Sequence, residues 1–228
     1  TVIDSSGANE SRFVQVERVI NRGLTQKHSV SARLQRDSVE AAIGGVEIGV
    51  STRTIDHVTF GGDSTLTFGN AVLNLKPEVS VGLSEVDNLP EGTNTPIDNP
   101  QAEFLRYKLS ADWSKPLVMS GHNLTWSSKL VLQYAAESLY ASQQLVVGGQ
   151  SSVRGSKDVS IVGDSGAYLQ NSLSLIKPFE LEGQTIRGEY TLGYDVGSVS
   201  SVRAGAYKGE LSALVLTARW SLNEWSLN

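Results

Sequence analysis

The chain reads Gly148-Gly149-Gln150-Ser151-Ser152-Val153-Arg154-Gly155-Ser156 and, after a short gap, Gly163-Asp164-Ser165-Gly166-Ala167-Tyr168-Leu169-Gln170-Asn171-Ser172-Leu173. The first segment is rich in glycine and serine and carries one cation, Arg154. The second opens with glycines around Asp164. These two linked segments are the most informative feature of the sequence, and the rest of the chain shows what kind of protein they belong to.

Neither segment has the pattern of a catalytic or phosphate-binding motif. A serine-protease motif would continue Gly-Pro after residues 163–166, but Ala167-Tyr168 follows, and no histidine is placed as a base. The order Gly155-Ser156-Lys157 differs from the Gly-Lys-Ser of a phosphate loop, and no helix pattern follows it. The three histidines, His28, His57 and His122, lack ligand spacing. We therefore predict no catalytic residue, no metal site and no cofactor, and a protein that is not an enzyme.

The composition alone would suit an ordinary soluble protein. Hydrophobic residues make up 39%, the mean hydropathy is −0.14, and no apolar run approaches the roughly 18 residues of a membrane helix. A search for long apolar runs does not detect membrane barrels, because only alternate side chains of their strands face lipid. The absence of cysteine excludes disulfides, and the net charge of −5 gives no basic footprint for nucleic acid. No signal peptide heads the chain, and 228 residues allow one large domain or two small ones.

Several segments alternate between apolar and polar residues, as strands with one apolar face do. The clearest is 104–117, where Leu105, Tyr107, Leu109, Ala111, Trp113 and Leu117 oppose Arg106, Lys108, Ser110, Asp112 and Ser114. Residues 123–135 and 185–197 place Leu130 and Tyr190 on the apolar face, with Lys129 and Asp195 on the polar face. Shorter stretches near 29–35 and 214–222 repeat the pattern. No long segment shows a helical period, so we predict an all-β chain.

Two segments are less regular. Residues 46–60 carry Asp56 on their apolar side. Residues 64–84 change phase between Phe68 and Leu73, which predicts a bulge or a shorter strand.

The predicted connections alternate in length. Short links are expected at 22–26, 61–64, 116–122, 178–184 and 222–224, and long ones at 37–46, 85–102, 136–165 and 198–209. This alternation is typical of an up-and-down outer-membrane barrel with tight periplasmic turns and extended outer loops. A soluble β-sandwich or a lipocalin is the alternative, because strand alternation by itself would fit either.

The two glycine-rich segments resemble the long loop of the TpsB family, the outer-membrane transporters of two-partner secretion, which are related to BamA-like insertases. That family's loop reads G-G-x-x-S-V-R-G-(aromatic), and the following strand reads G-D-x-G-x-x-x-x-N-E-L. Here Ser156 replaces the aromatic residue and Ser172 the glutamate. The resemblance covers residues 10–228 and implies a partial antiparallel transmembrane barrel, with about nine of the family's roughly sixteen strands. The family's periplasmic POTRA domains have no counterpart in this chain.

The resemblance also implies a position for the loop. Residues 136–165 would fold into the barrel lumen, with Arg154, between Val153 and Gly155, held by an acidic residue two strands beyond the motif. Asp195 matches that position, and a guanidinium–carboxylate contact can be bidentate. Asp164 and Glu189 remain alternative partners. The glycines of the loop motif are Gly148, Gly149, Gly163 and Gly166.

By resemblance, the chain would belong to a Gram-negative outer-membrane pore that exports a large TpsA-like exoprotein, driven by folding of that protein outside the cell. A BamA-like assembly factor and a passive porin or ligand-binding barrel are the alternatives. The expected surroundings are outer-membrane lipids, with no nucleic acid and a monomeric state. Aromatic residues on the apolar faces would mark the membrane interfaces. They are Trp113, Trp126, Trp220 and Trp225, with Tyr107, Tyr134, Tyr190 and Tyr194.

Overall fold

The computed structural model describes residues 5–43, 46–47, 53–83, 100–156, 159–181, 184–202 and 208–222. The strands within these ranges are β1 Ser5–Arg22, β2 Gln26–Ile43, β3 Val46–Glu47, β4 Arg53–Phe68, β5 Ala71–Leu83, β6 Leu105–Met119, β7 His122–Ala135, β8 Leu145–Val147, β9 Ile161–Gly163, β10 Ser165–Leu181, β11 Gln184–Ser200 and β12 Lys208–Leu222. Among the described residues, no helix is both long enough and apolar enough to cross a membrane.

The strands form one large antiparallel sheet in the order β1-β2-β4-β5-β6-β7-β10-β11-β12, so each long strand pairs with the next one along the chain. β3 pairs antiparallel with the end of β2, and β8 pairs with β9 in a separate two-stranded sheet. Long strands connected in sequence order are the up-and-down arrangement that the alternation of short and long links predicted. The prediction of an all-β antiparallel chain with about nine barrel strands is confirmed.

The strand registers align the apolar residues of neighbouring strands on one face of the sheet. Tyr107 lies opposite both Val79 and Tyr134, and Leu130 lies between Ala111 and Leu169. We call this the outer face, and the opposite one, which carries residues 136–156 and 159–164, the inner face. Outer-face side chains that are more than one-third exposed include Val14, Val16, Val30, Leu34, Phe60, Phe68, Tyr107, Trp126, Leu132, Tyr134, Tyr190, Leu192, Tyr194, Leu214, Leu216 and Trp220. Trp225 lies outside the described residues.

Two predicted connections are wrong. Residues 61–64 continue strand β4, and the chain instead turns at Gly69 and Asn70, where Gly69 has a φ of 61° that suits glycine. This turn explains the change of phase, because Leu66 and Leu73 lie on different strands and face each other across the hairpin. The long connection predicted at 37–46 is also incorrect, since β2 continues to Ile43 and pairs there with β3. The link predicted at 61–64 rests on Gly61 and Gly62, which lie inside β4.

Asp56 lies on the outer face, as its place in the alternation indicated. Arg36 of β2 is its register partner and donates two hydrogen bonds to its carboxylate, Nε to Oδ1 at 2.8 Å and Nη2 to Oδ2 at 2.7 Å. The pair lies towards the end of the sheet that carries the long connections. A bidentate partner explains how a carboxylate is tolerated on an otherwise apolar face.

The buried core lies between the sheet and the residues that cover its inner face. One cluster contains Val131, Leu145, Val147, Val153, Ile161, Tyr168 and Val199. A second contains Ile55, Ala102, Phe104, Ala135, Leu139 and Tyr140. Leu130 contributes to neither, because it points to the outer face. The sandwich alternative, which requires a core between two large sheets, is therefore wrong.

Candidate loop-anchoring site

The segment between β7 and β10 folds back over the inner face as a hairpin. Its two limbs pair through β8 and β9, with Leu145 opposite Gly163 and Val147 opposite Ile161. The tip lies between these strands and includes residues 148–156. Pairing of the limbs satisfies backbone groups that would otherwise be buried without partners.

The tip is closed by backbone geometry that requires glycine. Gly148 and Gly149 have φ values of 134° and 74°, and a Cβ on Gly148 would lie 2.4 Å from the carbonyl oxygen of Val159. The Ser152 hydroxyl accepts from the Gly148 N–H at 2.7 Å and donates to the Gly148 carbonyl at 2.9 Å. Gly149 N–H donates to the Ser156 carbonyl at 3.0 Å, so Ser156 contributes its backbone to the turn.

Val153 holds the tip against the sheet. Its side chain is fully buried in the cluster that contains Val131 of β7, Tyr168 of β10 and Val199 of β11. Burying a valine side chain contributes about 1.5–3 kcal/mol. Three strands of the large sheet therefore contribute to the apolar contact beside Arg154.

Arg154 lies beside this contact and binds Asp195 of β11. Nε donates to Oδ2 at 2.8 Å, Nη2 donates to Oδ1 at 2.7 Å, and the Arg154 backbone N–H donates to Oδ2 at 2.9 Å. Nη2 also donates to the Asn171 carbonyl at 3.1 Å. The Asp195 side chain is fully buried and the Arg154 side chain is 22% exposed. Hydrogen bonds to Asp195 raise the pKa of Arg154 above its ordinary value, so the guanidinium keeps its charge.

Glycines on β11 let the tip approach the sheet closely. Gly193 and Gly197 flank Asp195 on the inner face, two residues away on each side. A Cβ on Gly193 would lie 2.7 Å from Arg154 Nη2, and one on Gly197 would lie 2.6 Å from Val147 Cγ1. Gly155 touches β12 in the same way, since its Cβ would lie 2.5 Å from that of Ala213. The guanidinium and β8 therefore occupy the space that side chains would fill.

We expect Gly193→Ala and Gly197→Ala to loosen the tip while leaving the sheet intact. Overpacking of this kind costs about 1–3 kcal/mol. Hydrogen–deuterium exchange of residues 148–156 should accelerate, because the Arg154 N–H would lose its acceptor. Gly61→Ala is the matched control, since its Cβ would point to the Ser31 hydroxyl at 3.0 Å, away from the tip. Equal acceleration in this control would contradict a specific role for the β11 glycines.

Asp164, an alternative candidate for the partner of Arg154, binds other groups. Its Oδ1 accepts from Leu139 N–H at 2.8 Å and from Gln144 Nε2 at 2.9 Å, and Oδ2 accepts from Val202 N–H at 2.8 Å. The residue is fully buried. Asp164 thus joins the start of the segment to the chain that follows β11, and Arg154 binds Asp195 instead.

The remaining motif glycines mark close backbone approaches. A Cβ on Gly163 would lie 2.8 Å from the Ser200 carbonyl, and one on Gly166 would lie 2.4 Å from the Ser198 carbonyl. Glu189 precedes Asp195 on β11 and lies in register with Ile176 and Arg219. Among the described residues, no group of three or more histidines or carboxylates is placed to hold a metal ion. Ser152 is the serine of the loop motif, whereas the sequence patterns assigned no role to Gly193 and Gly197, which flank Asp195 in the sequence.

Comparison with known proteins decides the family. The model of the haemolysin secretion/activation proteins ShlB/FhaC/HecB matches residues 1–219. This chain belongs to the ShlB/FhaC/HecB family. The resemblance to TpsB transporters is therefore confirmed.

Individual relatives of the ShlB/FhaC/HecB family agree with this. The outer membrane transporter CdiB of Dickeya dadantii is 29% identical over 174 residues, covering 75% of this chain and 30% of the relative. The hemolysin transporter protein ShlB of Serratia marcescens is 24% identical over 198 residues, covering 87% and 34%. This chain thus spans about a third of these curated relatives. CdiB is named as an outer-membrane transporter and ShlB as a hemolysin transporter, and the predicted outer-membrane location is confirmed.

Solved structures show the same fold. CdiB from Escherichia coli superposes with a TM-score of 0.70 at 23% identity, covering 95% of this chain and 45% of the other. CdiB from Acinetobacter baumannii gives 0.69 at 19% identity, covering 95% and 40%. The large sheet accordingly has the fold of part of a β-barrel.

Proposed function

We propose that this chain supplies part of the wall and the inward loop of a pore that exports a large secreted protein across the outer membrane. The single observation that carries the proposal is Arg154 of the loop bound to the buried Asp195 of the barrel wall. Membership of the ShlB/FhaC/HecB family supports it. Val153, Gly155 and the motif glycines act with Arg154 in anchoring the loop.

The lumen surface suits the passage of an unfolded polypeptide. Inner-face residues carry both charges, including Arg106 and Lys108 on β6, and Glu78 on β5, while most of the exposed large apolar residues of the strands lie on the outer face. A wet surface of mixed charge offers an unfolded chain no extended apolar patch to adhere to. The exporter acts without catalysis or nucleic acid, works as a monomer, and takes a TpsA-like exoprotein as its partner.

The loop is held firmly yet reversibly. Val153 is fixed by apolar contact, and Arg154 by a bidentate ion pair at the edge of a water-filled lumen. Water and the exported chain can both compete for such a pair, because its partners form hydrogen bonds equally well elsewhere. The loop therefore closes the resting pore and yields during export. Residues 10–228 would form one barrel domain, with no POTRA domain among them.

Two other functions use a related barrel. A BamA-like assembly factor would insert other membrane proteins, and a passive porin would conduct small solutes. Export is favoured because the family model and the named relatives are secretion proteins and transporters.

A secretion assay separates these functions. The gene of the full-length protein would be deleted in its host, together with a complemented control, and the culture medium searched for exoproteins that disappear. Loss of one large exoprotein with normal levels of other outer-membrane proteins is the expected result. A general loss of outer-membrane proteins would support assembly, and changed solute uptake with unaltered secretion would support a porin.

A further inference from the structure

A second contact of the loop, away from Arg154, involves Gln143. This residue is 4% exposed and reaches two strands of the barrel wall through its side chain. Arg106 Nη1 donates to its Oε1 at 2.7 Å, and its Nε2 donates to Asp37 Oδ2 at 3.0 Å. Its main-chain carbonyl accepts from Arg106 Nη1 at 3.0 Å and from Gln133 Nε2 at 3.1 Å.

Two of these four contacts recognise the main-chain carbonyl, which is present at every residue. The other two recognise the carboxamide of Gln143, which offers the same kinds of donor and acceptor as a peptide group. Asp37 supplies an acceptor, whereas Arg106 and Gln133 supply donors. The wall therefore binds groups here that a peptide backbone can also supply, unlike the ion pair at Arg154.

Arg106 depends on this contact. Its hydrogen-bond acceptors are the two oxygens of Gln143 and the Ser80 hydroxyl, the last at 3.1 Å from Nη2. Its buried Nε has no hydrogen-bond partner. If the loop withdrew, a largely buried guanidinium would lose most of its acceptors, which is costly unless another acceptor replaces them. The carbonyl of a passing chain would meet that need.

A cavity of about 940 Å³ begins at this contact and extends down the same side of the lumen. Its lining combines both charges with hydroxyl groups, and includes Arg33, Asp37, Thr59, Glu78 and Lys108. The tip of the loop packs against β7 and β10–β12, on the other side of the inner face. The cavity therefore provides polar space on the side of the lumen away from the anchored tip.

We propose that Asp37, Arg106 and Gln133 form a binding site for the main chain of the exported polypeptide, which Gln143 fills in the resting pore. The proposal rests on the export function and adds which part of the lumen the exported chain contacts. The incoming chain displaces Gln143 by offering equivalent hydrogen bonds, so the exchange has little net cost. Arg154 and Asp195 stay engaged until this first exchange has occurred.

Site-specific photo-crosslinking tests this route. A photoreactive amino acid would be placed at Lys108, in the cavity, or at Ser172, beside Arg154. The full-length transporter would be expressed with its exoprotein fused to a stably folded domain that stalls export. We expect the stalled chain to crosslink at Lys108 and not at Ser172.

Variants then test the individual groups. Arg106→Lys keeps the charge but loses the paired donors, and should lower the crosslink yield at Lys108 roughly tenfold, equivalent to about 1.4 kcal/mol. Arg187→Lys, an exposed inner-face control on β11, should leave it unchanged. Gln143→Ala should raise the yield several-fold, because the occupant of the site loses two hydrogen bonds. Each comparison is made at equal amounts of folded barrel, which are measured by heat-modifiable migration on gels.

The outcomes distinguish this proposal from the export function. Crosslinks at Ser172 alone, or an Arg106→Lys yield equal to the control, would overturn the site and leave export standing. Secretion that continues with no crosslink at any inner-face position would contradict passage through this lumen altogether.

Discussion

Asp195→Ala should abolish most export of the partner protein while the barrel still assembles in the outer membrane. The substitution removes the acceptor of two guanidinium hydrogen bonds and of the Arg154 N–H. Breaking a buried ion pair by removing one member typically costs about 3–5 kcal/mol. Arg154 is 22% exposed to a wet lumen, so the loss of stability is expected to fall below that range. Quantitative immunoblotting of the secreted protein measures the effect, and heat-modifiable migration reports barrel assembly.

The partner substitution provides a double-mutant cycle. Arg154→Ala should reduce export in the same way, and the double variant should be little worse than either single variant, because one contact can be lost only once. Arg187→Ala on the same strand is the control, since its side chain is exposed on the inner face. Strictly additive defects would argue against direct pairing, even if each residue proved essential.

Leu130→Arg should prevent efficient assembly of the barrel. Leu130 lies on the outer face of β7, between Ala111 and Leu169 of the neighbouring strands. A cation at a lipid-facing position near the midplane costs about 2–4 kcal/mol, because the bilayer core offers it neither water nor a counter-ion. The urea midpoint of the folded barrel in lipid vesicles should fall. Heat-modifiable migration on gels reports how much of the barrel remains folded at each urea concentration.

Ser127→Arg supplies a matched control on the same strand. Ser127 faces the lumen and lines a cavity of about 350 Å³ that also contains Asp112 and Lys129. Water and a nearby carboxylate are available to an arginine there, so the urea midpoint should change little. Equal destabilisation by both substitutions would contradict the assignment of the two faces.

The strands could be predicted because their information is local. Alternation of apolar and polar residues over 104–117 predicts both a strand and the orientation of each side chain, and β6 occupies Leu105–Met119 with those faces. The turn at 61–64 was misplaced for the opposite reason. Gly61 and Gly62 are typical of a turn, but pairing with β2 keeps them in β4. Neighbouring strands overrode a local signal.

The partner of Arg154 in the loop could not be predicted from the sequence alone. Its glycines predicted a turn, and the family resemblance suggested Asp195, but Asp164 and Glu189 remained open as partners of Arg154. Choosing among three carboxylates requires distances between residues far apart in the chain. The structure places Arg154 on Asp195 and turns Asp164 towards Leu139, Gln144 and Val202.

The sequence by itself therefore determined the strands and which of their side chains share a face, because both follow from neighbours along the chain. Only the tertiary structure decided which groups the loop binds. Gly193 and Gly197 have no side chains, and this leaves room for Arg154 and Val147. Gln143 forms hydrogen bonds with wall residues on β2, β6 and β7. Such contacts arise when a hairpin is laid across several strands, and no pattern within one segment encodes that geometry.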